Sequence, residues 1–158
     1  MPGRAAISID DPHADDVRAL LGRHLDFARA TTRPEEVFAL DVDGLTEPSV
    51  TFFSYRADGR VLGVAALKHL DDEHAELKSM HTASEARGRG VGRALVDHIV
   101  AVARERGYRR ISLETGSGPA FEAARSLYVG ASFTPCEAFG DYRPTPLSAY
   151  MTLALDAG

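Results

Sequence analysis

The sequence predicts a mixed α/β (α+β) fold, a central and mostly antiparallel sheet flanked by helices, in a single domain over residues 1–158. Three observations carry that expectation. Strand-like runs follow one another between residues 50 and 82 with connections too short for a crossover, so they must form an antiparallel meander. From residue 91 the apolar period lengthens to that of a helix, which can carry the chain across to a parallel strand at 110–114. A chain of 158 residues with 44% hydrophobic content has enough apolar surface for one sizeable core.

The elements follow in order. Ala5 to Ile9 alternates as a first strand, and Asp11-Pro12 opens a helix, with proline at its first position where a missing N–H costs nothing. Val17, Leu20, Leu21, His24, Leu25 and Ala28 share one face of that helix. Thr32 and Glu35 have capping-box spacing around Pro34, which marks a second short helix. Val50 to Arg56 is rich in β-branched and aromatic residues, Asp58-Gly59 is a tight hairpin turn, and Val61 to Leu70 is the returning strand. Asp71-Asp72 turns the chain into a fourth strand, Ala75 to Thr82. Glycines 88, 90 and 92 lead into a helix with Val91, Leu95, Ile99 and Val102 on its apolar side, stopped by Gly107. Arg110 to Glu114 is the crossover strand, and Pro119 starts a helix running to about residue 129. Phe133 begins a short strand, Pro144 and Pro146 mark a loop, and Tyr150 to Leu155 closes the chain.

Composition narrows the function. A net charge of −5 and a pI near 5.6 argue against a nucleic-acid partner, which would need a basic face. There is one cysteine, Cys136, so neither an internal disulfide nor a cysteine-rich metal site is expected, and the histidines show no ligand spacing; no metal is expected. The first residues lack the apolar stretch of a signal peptide and no apolar run is long enough to span a membrane, so the expected location is the cytoplasm. Among eighteen basic residues only Lys68 and Lys78 are lysines, and both fall in strands.

The informative stretch is Arg87-Gly88-Arg89-Gly90-Val91-Gly92-Arg93. Glycines let backbone N–H groups close around an anion, the following helix presents its positive end to the same point, and three arginines add charge suited to phosphate. A diphosphate ligand is the physical expectation, against a flexible turn with a solvated arginine face. A P-loop is excluded because no Gly-Lys pair occurs. A dinucleotide fingerprint is excluded because its third glycine would fall on Arg93 or Leu95. Glu114 stands where a ribose-binding acid would, but too little chain follows it for a second nucleotide-binding half.

Arg87-Gly88-Arg89-Gly90-Val91-Gly92 resembles the pyrophosphate-binding signature of the GNAT acetyltransferase superfamily. Ala124-Arg125-Ser126-Leu127-Tyr128 with Phe133 resembles that superfamily's second segment, with Ser132 where glycine is usual. Ala66-Leu67-Lys68, Glu76-Leu77-Lys78-Ser79-Met80, Ser112 to Ser117 and Phe139-Gly140-Asp141-Tyr142-Arg143-Pro144 resemble the YsnE-like bacterial acetyltransferases. The resemblance implies a GNAT-like fold and acetyl-CoA as co-substrate. Arg87, Gly88, Arg89, Gly90, Val91, Gly92 and Arg93 would hold its pyrophosphate, and the strand end Met80, His81, Thr82 would pair with its pantetheine arm. Glu76 resembles the family's strand base and Tyr128 its general acid, the alternatives being a surface glutamate and a packing aromatic.

Cys136 is the alternative nucleophile for a ping-pong route, against a small buried hydrophobe. Strand alternation puts Glu76 and Lys78 on one face, about 7 Å apart at a strand rise near 3.3 Å per residue. That span suits an amino-acid-like acceptor, unless the two simply pair with each other. Glu114, Asp141 and Tyr142 would complete the substrate wall. The expected activity is direct acetyl transfer to a primary amine of a small molecule, with no nucleic-acid or membrane partner and homodimerisation left open. A non-catalytic acetyl-CoA-binding regulator and a protein acetyltransferase are the alternatives.

Overall fold

A computed structural model describes residues 5–22, 43–140, 142–146 and 148–155. The described residues form a seven-stranded mixed sheet: β1 (Ala5–Ile9), β2 (Val50–Ala57), β3 (Arg60–His69), β4 (His74–Thr82), β5 (Arg110–Gly116), β6 (Thr134–Cys136) and β7 (Ser148–Ala154), in the order β1-β2-β3-β4-β5-β7-β6. The helices are α1 over 15–22, α2 (Val91–Glu105) and α3 (Glu122–Gly130).

The meander and the crossover stand as the sequence predicts. β2, β3 and β4 pair antiparallel, with Asp58 and Gly59 both left-handed (φ 52° and 79°) in the hairpin turn. α2 then carries the chain to β5, which runs parallel to β4. The last strand, β7, inserts between β5 and the short edge strand β6.

The first helix starts later than Pro12, because Asp11 forms a turn there instead. Its side-chain Oδ1 accepts the His13 N–H at 2.8 Å and its carbonyl the Ala14 N–H at 3.1 Å, so helical structure begins at residue 15. His24, Leu25 and Ala28, and the second helix expected around Thr32 to Glu35, lie outside the described residues. The buried stripe of α2 is broader than the sequence pattern: Val96, Val100 and Ala103 join Val91, Leu95 and Ile99, and Val102 is left at the rim.

The sheet has two unlike faces. α2 lies so close to β3 that a Cβ on Gly63 would sit 2.8 Å from Val91 Cγ1 and 2.9 Å from Leu95 Cδ1. Gly63, Leu67, Leu77 and Leu113 therefore look toward α2, while Lys68, Glu76, Lys78, Ser112 and Glu114 look the other way. On that second face α1 is tied to β2 by Arg56, whose guanidinium bonds Asp10 at 2.8 Å and Asp16 at 2.6 Å.

Candidate active site

The glycine loop is built by three local devices. A short 3-10 turn, Ser84–Ala86, follows β4, and Gly88 and Gly90 both take left-handed backbone (φ 79° and 82°), which L side chains resist. The Arg87 and Arg89 amides turn back to the Ser84 and Ala86 carbonyls at 3.4 and 3.3 Å. Gly90 is the N-cap of α2 and offers no side chain to its first turn, so the leading amides of the helix have no intrahelical acceptor. Arg93 is partly committed elsewhere: its Nε donates to Asp97 at 3.0 Å and its Nη1 to the Gly130 carbonyl at 3.0 Å, joining α2 to the end of α3. Arg87 and Arg89 are exposed.

Gly92 is packed tightly. A Cβ there would lie 3.1 Å from Leu127, 3.3 Å from the Met80 Cε and 3.4 Å from Thr82 Oγ1. The loop, the end of β4 and α3 thus meet at one residue. His81 pairs with Val64 and so lies on the other face of β4, beyond the bulge.

Beside this junction the sheet splits. β4 and β5 stay in register for only four residues, from His74 opposite Arg110 to Leu77 opposite Leu113, although both strands continue beyond. A bulge on β4 accompanies the split: the β3–β4 register slips between Val64 and Ala66, and Ser79 takes a left-handed φ of 60°. Ser79 Oγ is buried and has no hydrogen-bond partner among the described residues. Past Leu77 the outer edge of β4 is therefore free of β5, as a ligand that pairs with a strand edge requires.

On the sheet face away from α2 the structure brings Glu76, Lys78, Glu114 and Tyr142 together. Glu76 is 3% exposed and accepts a hydrogen bond of 2.5 Å from the Tyr142 hydroxyl, 66 residues away in sequence. Burial, then the neighbouring Glu76 carboxylate, pushes the Tyr142 phenol far above its ordinary range. Glu114 accepts from Ser148 Oγ at 2.7 Å. Burial pushes its carboxyl up, and the nearby Glu76 charge adds to this while Ser148 and Lys78 oppose it. Lys78 thus lies in the field of Glu114, and no ion pair between Lys78 and Glu76 forms among the described residues. Asp141 lies outside the described residues.

Tyr150, Ser112 and Thr152 on this face escaped the sequence reading as site residues. Phe139, Tyr142 and Tyr150 form an aromatic stack, with ring centroids 5.2, 5.7 and 6.0 Å apart, and Phe139 also packs on His74 at 5.6 Å. His74 Nε2 bonds Ser112 Oγ at 2.7 Å, and Ser112 bonds Thr152 Oγ1 at 2.8 Å. Burial holds the His74 imidazole below its usual range. The alternation Ser148, Tyr150, Thr152 along β7, with Ala149, Met151 and Leu153 between, was the available signal for this polar face.

Tyr128 is 5% exposed on α3 and packs on Phe133 at 5.9 Å; burial pushes its phenol well above the ordinary value. Cys136 is half-buried on β6, and burial raises its thiol, which disfavours the thiolate a nucleophile needs. Ser132, where the GNAT segment usually has glycine, takes a left-handed φ of 78°. The backbone there keeps the glycine conformation without the glycine.

Comparison with known proteins agrees with this geometry. Residues 15–131 match the Acetyltransferase (GNAT) family. The chain is 41% identical over 149 residues to YsnE, an uncharacterised N-acetyltransferase of Bacillus subtilis, covering 94% of this chain and 99% of that one. It is 42% identical over 149 residues to YedL, an uncharacterised N-acetyltransferase of Escherichia coli, covering 94% of each. A crystal structure from Klebsiella pneumoniae, assigned as an acyl-CoA N-acyltransferase, superimposes with a TM-score of 0.78 at 26% identity, covering 96% of this chain and 98% of that one. The chain belongs to the GNAT family of acetyltransferases and is an acyltransferase of the N-acetyl-transferring kind.

Proposed function

We propose that this GNAT-family enzyme transfers acetyl directly from acetyl-CoA to the primary amine of a small molecule, in its finer form an amino-acid-like acceptor. The observation that carries the proposal is the split between β4 and β5 after Leu77 and Leu113, with the glycine loop at one side and the Glu76 face at the other. An extended pantetheine arm fits the free edge of β4 at Lys78 to Thr82. Its diphosphate fits the amides of Gly88, Gly90, Val91, Gly92 and Arg93, with Arg87 and Arg89 supplying outer charge. From Arg93 the backbone is the useful part, since its guanidinium holds α3.

Acetyl-CoA supplies an activated acyl carbon. The chain's own residues manage the protons. An amine attacks only when neutral, and Glu76, shielded from water, takes the proton lost as the C–N bond forms. As the C–S bond breaks the thiolate needs a proton, which Tyr128 would give; burial keeps its phenol protonated until then. Lys78 would hold an acceptor carboxylate, and Glu114 with Tyr142 would line the acceptor's side. The raised Cys136 thiol favours direct transfer over an acetyl-cysteine.

The test is an amine-library screen with acetyl-CoA, reading release of free CoA, preceded by calorimetry of acetyl-CoA binding. Binding with turnover on small amines is the expected result. Binding with no turnover on any amine would instead make the chain a regulatory module. Turnover confined to peptide or protein amines would make it a protein acetyltransferase.

A further inference from the structure

We infer that Tyr142 is a positioning residue of the transfer reaction: its hydroxyl holds the Glu76 carboxylate turned so that one oxygen stays open toward the acceptor amine. The inference rests on the reading of Glu76 as the proton acceptor and deepens it.

A carboxylate that is 3% exposed is costly unless something donates to it. The donor is Tyr142, bonded to Oε2 at 2.5 Å, which leaves Oε1 to meet the substrate. The phenol reaches Glu76 because its segment is anchored at several points. The Tyr142 ring packs edge-on against Phe139 at 5.2 Å and beside Tyr150 at 5.7 Å. Its own N–H donates to the Phe139 carbonyl at 3.1 Å. Tyr150 donates its hydroxyl to the carbonyl of the next residue, Arg143, at 3.0 Å, and Ser117 Oγ donates to the Pro146 carbonyl at 2.5 Å. A loose surface loop would need none of these. Here they aim one hydroxyl at one carboxylate oxygen.

A hydrogen bond to the charged form of an acid favours that form. The Tyr142 hydroxyl therefore donates to the form of Glu76 that is able to accept a proton. The other groups facing Glu76 cannot substitute. His74 and Lys78 lie on its own strand, Lys68 on β3, Glu114 and Arg110 on β5 and Tyr150 on β7; none of them bonds its carboxylate among the described residues. Loss of the hydroxyl therefore leaves the carboxylate to burial and to the like charge of Glu114.

The experiment is a ¹³C NMR pH titration of glutamate-labelled protein, with Glu76 assigned through Glu76→Gln. In Tyr142→Phe the Glu76 carboxyl is expected to titrate about one pH unit or more higher, the scale of a lost charge-assisted hydrogen bond. The acidic limb of kcat/KM for any amine found by the screen should move with it, while rates converge at high pH. Phe139→Leu loosens the same stack but keeps the hydroxyl, and should move the titration much less than Tyr142→Phe does. Should Tyr142→Phe fail to fold, difluorotyrosine at position 142, a stronger donor of nearly the same shape, should move the titration down. An unmoved Glu76 titration, or an equal shift in Phe139→Leu, overturns the inference. A moved titration with an unmoved rate profile would keep Tyr142 as the partner but remove Glu76 as the proton acceptor.

Discussion

Gly90 allows the anion-binding role of the loop to be separated from its folding. The residue caps α2 at φ 82° and ψ 10°, and an added Cβ would meet nothing within 4 Å. Substitution is therefore not resisted by packing. Its cost is conformational, about 1 kcal/mol for an L residue held left-handed, which lowers Tm by about 2–4 °C in a domain of this size. Asn and Asp tolerate this conformation better than Ala and share one shape, so the pair isolates charge. Gly90→Asn should keep most acetyl-CoA affinity. Gly90→Ala should lose more, because relaxation to a negative φ turns the amides away. Gly90→Asp places a carboxylate against the diphosphate and should abolish measurable binding, with a melting temperature in the absence of ligand close to that of the Asn variant. Isothermal titration with acetyl-CoA and thermal melts check the series, since a ligand bound only by the folded state raises Tm. Equal affinity in the Asn and Asp variants would mean that no anion sits at this loop, and the assignment of the co-substrate site would fall with it.

Four further outcomes are expected. Glu76→Gln should lower kcat and remove the acidic limb of the pH–rate profile while leaving acetyl-CoA affinity nearly unchanged; an intact profile would point to Glu114, whose carboxyl burial already raises. Tyr128→Phe should slow turnover by roughly ten- to a thousandfold, whereas Cys136→Ala should stay active, and an acetyl-cysteine seen by mass spectrometry would reverse that pair of expectations. Lys78→Ala should weaken kcat/KM for an amino acid by about 1–3 kcal/mol and hardly affect the corresponding decarboxylated amine; equal losses would make Lys78 structural. Ser132→Gly should relieve the left-handed serine and raise stability by about 1 kcal/mol in denaturant melts without changing turnover.

The parts of this molecule that a reader of the sequence can recover are those with a local cause. Asp58-Gly59 announces its turn because two left-handed residues in a row demand such a pair. The spacing of Gly88 and Gly90 announces the anion loop for the same reason, and α2 follows from its apolar period. What stays hidden depends on partners that arrive from elsewhere. Arg93 reads as phosphate charge, yet its guanidinium is partly committed to Asp97 and the Gly130 carbonyl; the Asp97 half was legible as an i, i+4 pair, the Gly130 half was not. The bulge at Ser79 carries no glycine to betray it, because strand pairing on one side and the split from β5 on the other impose a conformation that serine would not choose. Glu76 and Tyr142 are each plausible site residues alone, but their bond spans 66 positions and depends on β7 inserting beside β5 to bring Tyr150 under the loop. A count of arginines or carboxylates near a motif thus overstates what is available to a ligand. Side chains must first be subtracted for the bonds they make within the fold; among the described residues, those still available at this site include the loop amides, Arg87 and Arg89, one oxygen of Glu76 and Lys78.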